Sequence, residues 1–220
     1  LIPLRGGSKG IPRKNLICIN GEPLFSYVVR ASLEANIRTI VSTEDEEIKI
    51  TCQKKFPDVE IIDRPKNLAG DTTTTEEVIE HFVKVDTTSQ HILLLQATSP
   101  LTTSENILDA IKVYKNSQHR PLVSVVKTHA FMWSNSGNPV NYDPFNRPRR
   151  QDWLGQFQEN GAIYIFSREH FNKNKCRASK QCSLFEMQTE TLIEIDEVKD
   201  AKIVSYLLKS RYENKNIINQ

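Results

Sequence analysis

Short apolar segments alternate along the chain with segments whose apolar residues recur at helical spacing. The apolar runs LIPL, RTIVST, VEIID, HILLLQ and PLVSVV are typical of buried strands. Between them, the periodicity predicts helices over PLFSYVVRASLEAN, EDEEIKITCQKKF, DTTTTEEVIEHFVKV and TTSENILDAIKVYKN. Pro23 lies near the start of the first helix, and Thr73 to Glu76 fits a capping box in the third. This alternation predicts a three-layer α/β fold, with a mostly parallel sheet covered by helices on both faces.

The alternation stops near His129. Residues 130–158 are rich in proline, asparagine, arginine and aromatic residues without clean periodicity, so we expect an excursion from the core, a flap or an oligomer arm. Strands are then predicted over NGAIYIF and TLIEID, and a closing helix over EVKDAKIVSYLLKS. The length favours one domain over residues 1–220. Because the chain opens inside an apparent strand without Met, we expect residues to precede Leu1.

The composition is typical of a globular protein, with 38% hydrophobic and 25% charged residues. The net charge of +2 gives no argument for a nucleic-acid partner, and no apolar run approaches the roughly 20 residues of a membrane span. The four cysteines lack zinc-binding spacing, which favours free thiols, with a Cys176–Cys182 disulfide as the alternative.

The first fifteen residues, LIPLRGGSKGIPRKN, end an apolar strand in a small and strongly positive loop. Glycines allow a tight turn that exposes backbone N–H groups, and arginine and lysine side chains add full charges, so the loop is predicted to bind a polyphosphate. It matches neither GxxxxGK[ST] nor GxGxxG, and a solvated surface turn is the alternative. The residues concerned are Arg5, Gly6, Gly7, Lys9, Gly10, Arg13 and Lys14.

Three further polar clusters follow predicted strands: STED, QATSP and the carboxylates of EID. Ligands of such sheets bind beyond the carboxyl ends of the strands. Glu194 and Asp196, one residue apart on a predicted strand, would point to the same face. Carboxylates and phosphates are the ligands that Mg²⁺ prefers, so this pair is a candidate metal site, with an ordinary edge-strand pair as the alternative.

LIPLRGGSKGIPRKNL resembles the opening signature of the acylneuraminate cytidylyltransferases, also called CMP-sialic acid synthetases. VSTEDEEI (41–48), LAGDT (68–72), LLQATSPL (94–101), RPRRQDW with ENGAIYIF (147–166) and IEID (193–196) follow in the order of that family. RPRRQDW, VVKTHAFMW and SLFEMQTE resemble animal members more than bacterial ones. The resemblance implies a Rossmann-like sheet of the nucleotide-diphospho-sugar transferase type, with an extended excursion for dimerisation.

The resemblance also implies an activity: transfer of CMP from CTP to the anomeric hydroxyl of sialic acid, with diphosphate leaving and Mg²⁺ required, Mn²⁺ being a substitute. The implied catalytic residues are Arg5, Lys14, Glu194 and Asp196, of which the last two would hold the metal. The implied nucleotide-binding residues are Arg5, Gly6, Gly7, Ser8, Lys9, Lys14, Asn15, Ala69 and Gly70. The implied residues that bind the sugar acid are Gln96, Arg150, Asn160 and Tyr164, and Arg150 would face the carboxylate of the sugar acid.

Several positions depart from the family pattern or have a plainer interpretation. Glu194 and Glu44 stand where aspartate is usual, and Gln158 stands where bacterial members have arginine and animal members tyrosine. The plainer interpretation makes Gln96 the end of a core strand and Tyr164 a core residue. The arginines of RPRR fit a solvated face or a nuclear-import patch as well as a substrate clamp.

Three alternatives therefore stay open beside the sialic acid enzyme. One is a cytidylyltransferase for another 2-keto sugar acid, of legionaminic type or an octulosonate. The others are a non-catalytic nucleotide-binding paralogue, suggested by Glu194, and a phosphate-sensing binding module. The resemblance further implies a homodimer that uses the 130–158 excursion, and a nuclear location as in most animal members, with the Golgi or cytoplasm as alternatives.

Overall fold

The computed structural model describes the backbone of residues 1–218 and the side chains of residues 1–211. The strands are β1 (Ile2–Pro3), β2 (Cys18–Ile19), β3 (Glu22–Pro23), β4 (Ile40–Thr43), β5 (Glu60–Asp63), β6 (His91–Leu95), β7 (Leu122–Thr128), β8 (Gln156–Ser167) and β9 (Ser183–Glu186). The helices are α1 (Leu24–Glu34), α2 (Glu46–Lys55), α3 (Thr75–Val85), α4 (Ser104–Asn116), α5 (Arg168–Asn174) and α6 (Val198–Ile218). Within these described residues, no helix combines the length and the apolar character needed to cross a bilayer.

The central sheet is mostly parallel, as predicted. β5, β4 and β1 pair in parallel, and β6, β8, β7 and β9 form the other half. The two halves meet where the Leu95 N–H donates to the Leu1 carbonyl oxygen at 3.0 Å and the Leu1 nitrogen donates to the Leu93 carbonyl oxygen at 2.7 Å. β8 alone runs antiparallel to its neighbours, so its first residues lie at the edge where the parallel strands end.

Helices cover both faces of the sheet because successive strand residues point to opposite sides. Leu95 packs with α1, α2 and α4 in one hydrophobic cluster, whereas Leu94 packs with α3 and α5 in another. A third cluster joins α6 to α1 through Val204, Leu208 and Leu24. The predicted three-layer α/β fold is therefore confirmed.

Three predictions about local structure were wrong. TLIEID is not a strand, because β8 and β9 already pair with both edges of β7; instead the Ile195 N–H donates to the Thr98 carbonyl oxygen at 2.9 Å. The capping box of α3 is one residue later, between Thr74 and Glu77. The excursion ends at Gly155, because residues 156–158 pair with β7 and lengthen β8.

A large β-bulge interrupts β8 near the carboxyl edge of the sheet. Val123 pairs with Tyr164 and Val125 with Glu159, so the single residue Ser124 lies opposite residues 160–163. The Ser124 hydroxyl closes the gap, donating to Asn160 Oδ1 at 2.6 Å and accepting from the Ile163 N–H at 2.8 Å. Side chains at the two ends of the bulge consequently lie on the same face of the sheet.

Gly161 forms the tip of this bulge with a φ of +67°. A Cβ at this position would overlap the carboxylate of Glu194. Glycine is therefore required twice, for the left-handed backbone and for the close approach of an acidic side chain more than thirty residues along the chain.

An ion-pair cluster joins the end of α3, the start of α5 and the segment before β4. Asp86 is 7% exposed and contacts Arg38 Nη1 at 3.0 Å and Arg168 Nη2 at 3.4 Å. Burial acts to raise the pKa of Asp86, but hydrogen bonds from Ser89, Thr88 and Arg38 outweigh it and hold that pKa well below its usual range.

Gly161→Ala should lower the free energy of unfolding by more than Gly137→Ala does. Gly137 has a φ of +79° and open space around it, so alanine there bears only the left-handed backbone cost of about 1–2 kcal/mol. At position 161, overlap with Glu194 should add about 1 kcal/mol or more. In a Glu194→Ala background the two glycine substitutions should cost the same in urea unfolding. An unchanged difference would show that Glu194 does not occupy the bulge.

Asp86→Ala should reduce the free energy of unfolding by about 3 kcal/mol at neutral pH, because two arginines lose a buried carboxylate. The control is Asp109→Ala, which removes an exposed pair with Lys112 and should cost less than about 0.5 kcal/mol. Since the folded-state pKa of Asp86 is depressed, its contribution is full above the unfolded-state pKa of about 4 and decreases as pH falls below that value. Urea unfolding of both variants between pH 7 and pH 3 measures it; a constant difference would contradict the assignment.

Candidate functional site

A cleft of about 290 Å³ opens at the carboxyl ends of β1 and β6. The phosphate loop predicted from the sequence forms one wall, and the start of α3 with the segment before it forms the other. The structure thus brings together residues from four separate stretches of the chain. Eight of the residues predicted from the sequence line the cleft: Arg5, Gly7, Ser8, Lys14, Asn15, Ala69, Gly70 and Gln96.

Internal hydrogen bonds hold the start of the loop in place. Asn15 Nδ2 donates to the Arg5 carbonyl oxygen at 2.9 Å, and the Gly6 N–H donates to Glu44 Oε1 at 2.7 Å. The other carboxylate oxygen of Glu44 pairs with Arg64 Nη2 at 2.7 Å, and this arginine also donates to the Leu4 carbonyl oxygen at 2.6 Å. The Gly6 N–H is therefore engaged within the protein, and Glu44, noted only as a departure from the family pattern, supports the loop.

The positive charges of the loop have carboxylate partners. Arg13 forms a bidentate pair with Asp45, the N-cap of α2, and also contacts Glu47 at 2.6 Å, so it supports the loop from outside. On the cleft side, Asp71 lies between two cations, 3.2 Å from Arg5 Nη1 and 3.3 Å from Lys9 Nζ. A polyanion that enters the cleft would replace Asp71 as the partner of Arg5 and Lys9. Asp71 belongs to the LAGDT stretch, but sequence reasoning assigned it no role.

A cation and two carboxylates meet at the other side of the loop. Lys14 Nζ donates to Asp196 Oδ1 at 2.7 Å and to the Ile195 carbonyl oxygen at 2.8 Å. Burial raises the pKa of Glu194, the charge of Asp196 raises it further, and Lys14 opposes both. Gly10 permits the close approach, because a Cβ there would overlap the Asp196 carbonyl oxygen.

This pair of carboxylates suits a hard divalent cation. Two acidic groups near one lysine leave an excess of negative charge, and both offer oxygen atoms, the ligands that Mg²⁺ and Mn²⁺ prefer. In the part of the chain that the structure describes, no three histidine, cysteine or acidic side chains are grouped as metal ligands. A cation held here would therefore need further oxygen ligands from a bound phosphate or water.

Two of the residues predicted to bind the sugar acid lie in the core. Asn160 is 2% exposed and donates to Thr191 Oγ1 at 2.9 Å, within the bulge. Tyr164 is 3% exposed, and its hydroxyl donates to Glu159 Oε1. Neither lines the cleft, and their contacts are those of structural residues, which for Tyr164 was the plainer interpretation.

The third, Arg150, is exposed on the excursion and does not line the cleft of its own chain. The excursion has its own small aromatic core, in which Phe131 stacks on Trp153 at 4.6 Å and Arg147 lies 4.2 Å above the Phe131 ring. Several large apolar side chains of the excursion are exposed, with Phe145 99% exposed and Leu154 84% exposed.

Comparisons with known proteins agree with this geometry. A family model described as cytidylyltransferase matches residues 1–219. The N-acylneuraminate cytidylyltransferase A of Danio rerio is 32% identical over 205 residues, which cover 89% of this chain and 47% of that protein. The N-acylneuraminate cytidylyltransferase of Escherichia coli is 26% identical over 227 residues, covering 98% of this chain and 53% of that protein. The chain thus spans about half the length of these curated relatives.

The fold also matches a solved structure. A CMP:2-keto-3-deoxy-manno-octonic acid synthetase complexed with CTP superposes with a TM-score of 0.73 at 16% sequence identity, covering 96% of this chain and 97% of that one. This likeness confirms the Rossmann-like architecture expected from the sequence. With a family model that matches almost the whole length, the chain belongs to the cytidylyltransferase family.

Proposed function

We propose that the protein transfers CMP from CTP to the anomeric hydroxyl of an N-acylneuraminate, giving CMP-sialic acid and diphosphate. The observation behind this proposal is the single cleft that joins the basic loop to Ala69, Gly70 and Gln96. The names of the curated relatives supply the nucleotide and the acceptor. The chain covers about half of each of these relatives, so the activity is proposed for the unit described here.

The nucleotide would lie along the wall formed by the loop. Arg5 and Lys9 would exchange Asp71 for the triphosphate, and the backbone at Gly7 and Ser8 would add N–H donors. The backbone at Ala69 and Gly70 would bind the cytosine, since both residues line the opposite side of the same cleft. Most of the catalytic effect would come from positioning and charge neutralisation, as is usual in phosphoryl transfer.

Glu194 and Asp196 would hold Mg²⁺, or Mn²⁺ in its place. When bound, such an ion supplies charge neutralisation at the phosphates and acidifies a coordinated hydroxyl. Lys14 fixes the Asp196 carboxylate, and the bulge at Gly161 fixes that of Glu194. Gln96, which directly follows β6 and lines the cleft, would orient the acceptor against the α-phosphorus.

We also propose a homodimer in which the excursion packs against the partner. Its exposed apolar residues Phe145, Leu154 and Val140 support this, because a monomer would leave them in water. Arg150, which does not line the cleft of its own chain, would then face the carboxylate of a sugar acid bound in the partner.

We propose the cellular compartment of the protein from the basic stretch in the same excursion. Arg149 pairs with Asp152 at 2.6 Å, whereas Arg150 is exposed, so the basic stretch is accessible to an import receptor. This favours the nucleus among the compartments that the family resemblance implies, the Golgi and the cytoplasm being the alternatives.

Diphosphate release should require both CTP and N-acetylneuraminic acid in the presence of Mg²⁺. UTP and ATP as donors and an octulosonate as acceptor are the controls, because the backbone contacts at Ala69 and Gly70 should select cytosine. A coupled assay for diphosphate measures the rate. Release with the octulosonate alone would favour the eight-carbon alternative, and no release with either Mg²⁺ or Mn²⁺ would favour a non-catalytic paralogue.

Asp196→Ala should lower kcat at least about 100-fold and leave CTP binding largely intact, because the phosphate loop keeps its own cations. The matched control is Glu197→Ala, which removes the neighbouring carboxylate, one paired only at the surface with Lys199 at 2.8 Å. Steady-state rates and calorimetric titration with CTP separate the two effects. Lost activity with retained CTP binding would exclude the phosphate-sensing module, whereas full activity of Asp196→Ala would remove the carboxylate pair from the mechanism.

A further inference from the structure

Arg177 is a cationic side chain near the cleft to which the proposed function gives no role. It belongs to the loop between α5 and β9, and its guanidinium lies 4.6 Å above the ring of Tyr164. Its Nη1 donates to Glu76 Oε1 at 2.6 Å. The side chain is 22% exposed, so it is packed on one side and open to solvent on the other. We call Glu76, Glu159, Tyr164 and Arg177 the arginine wall.

The arginine wall adjoins the cleft on both sides. Thr75 and Val78, which lie one residue before and two residues after Glu76 on α3, line the cleft directly. At the other side, the N–H of the cleft residue Gln96 donates to the Ala162 carbonyl oxygen at 3.3 Å, within the bulge. The four residues of the wall do not line the cleft themselves, so an acceptor bound beside Gln96 would reach Arg177 with a substituent that extends beyond the cleft towards the bulge.

The bulge of β8 brings the members of the wall together. It places Glu159 and Tyr164 on the same face although they are five residues apart, so the Tyr164 hydroxyl reaches Glu159. Glu159 is also close enough to Glu194 for its charge to act on that carboxylate. Arg177 is thus connected to α3 through Glu76 and, through Tyr164 and Glu159, to the surroundings of the Glu194 carboxylate.

The surroundings of Arg177 define what it can recognise. A guanidinium has five N–H donors in a rigid fork, and Glu76 and the Tyr164 hydroxyl engage only part of them. Tyr164 and Glu76 hold the group in place, so little conformational entropy is lost when a ligand binds. If the ligand's substituent ended in a methyl group, the remaining N–H donors of Arg177 would have no partner. If it ended in a hydroxyl, its oxygen would accept a hydrogen bond from them.

We propose that Arg177 is a specificity-determining residue for the acceptor, favouring a nine-carbon 2-keto acid whose ring substituent ends in a hydroxyl over one that ends in a methyl. This inference rests on the proposed cytidylyltransferase activity of the same cleft. It extends that activity to the substrate class, which a site with fixed polar donors discriminates strongly.

The test compares kcat/KM for two acceptors at saturating CTP, one N-glycolyl and one N-acetyl nine-carbon acid. Arg177→Gln should lower the glycolyl-to-acetyl ratio about tenfold relative to the wild type and leave the KM for CTP unchanged, because a hydrogen bond to a charged donor is lost. Arg177→Lys keeps the charge without the fork and should give an intermediate ratio.

Lys175→Gln is the matched control. Lys175 lies in the same loop and pairs with Glu80 of α3 at 3.2 Å, one helical turn beyond Glu76, without contact to Tyr164. It should leave the acceptor ratio unchanged. Thermal unfolding of the three variants checks that the loop remains docked, and Arg177→Lys serves as the test if Arg177→Gln does not fold.

An unchanged ratio in folded Arg177→Gln, or an equal loss for both acceptors shared by Lys175→Gln, would overturn the inference and make Arg177 a structural residue. Either result would leave the proposed function intact, since the wild type would still release diphosphate. Absence of release from the wild type with both acceptors would instead refute the proposed function and, with it, this inference.

Discussion

The bulge of β8 at Gly161 is the constraint on which the site depends. Without it, Glu159 and Tyr164 would point to opposite faces of the sheet, since they are an odd number of residues apart. With it, the Ser124 hydroxyl satisfies the displaced backbone, Asn160 turns into the core, and the carboxylate of Glu194 occupies the space left by a missing side chain. One local irregularity therefore positions groups on both sides of the sheet.

Charge balance is the second organising feature. Each cation of the phosphate loop already contacts a carboxylate: Arg5 and Lys9 share Asp71, and Lys14 contacts Asp196. A highly charged ligand would thus exchange partners within the cleft, and the protein need not keep several unbalanced positive charges close together. The buried pair of Glu44 with Arg64 supports the loop from below and leaves the solvent-facing charges to the ligand.

The segment 189–196 shows why a correct functional expectation can accompany a wrong structural one. Its alternation of apolar and acidic residues predicts a strand, yet the edges of β7 are already paired with β8 and β9. The segment crosses the carboxyl ends of the strands instead and is held by the Thr98 carbonyl oxygen. Asp196 consequently contacts the cleft residue Lys14, and Glu194 lies against Gly161, for a reason that strand periodicity does not contain.

The sequence by itself determined the layered α/β fold, the basic glycine loop at the end of β1 and eight of the residues that line the cleft. These features depend on hydrophobic periodicity and on motifs of consecutive residues, and both can be read directly from the amino-acid sequence. Only the tertiary structure decided the partners: Glu44 with the loop, Glu194 against Gly161, and Arg177 with Glu76. Each such pair joins residues between about 30 and 100 positions apart, and their approach is set by sheet order and strand register, which no local pattern encodes.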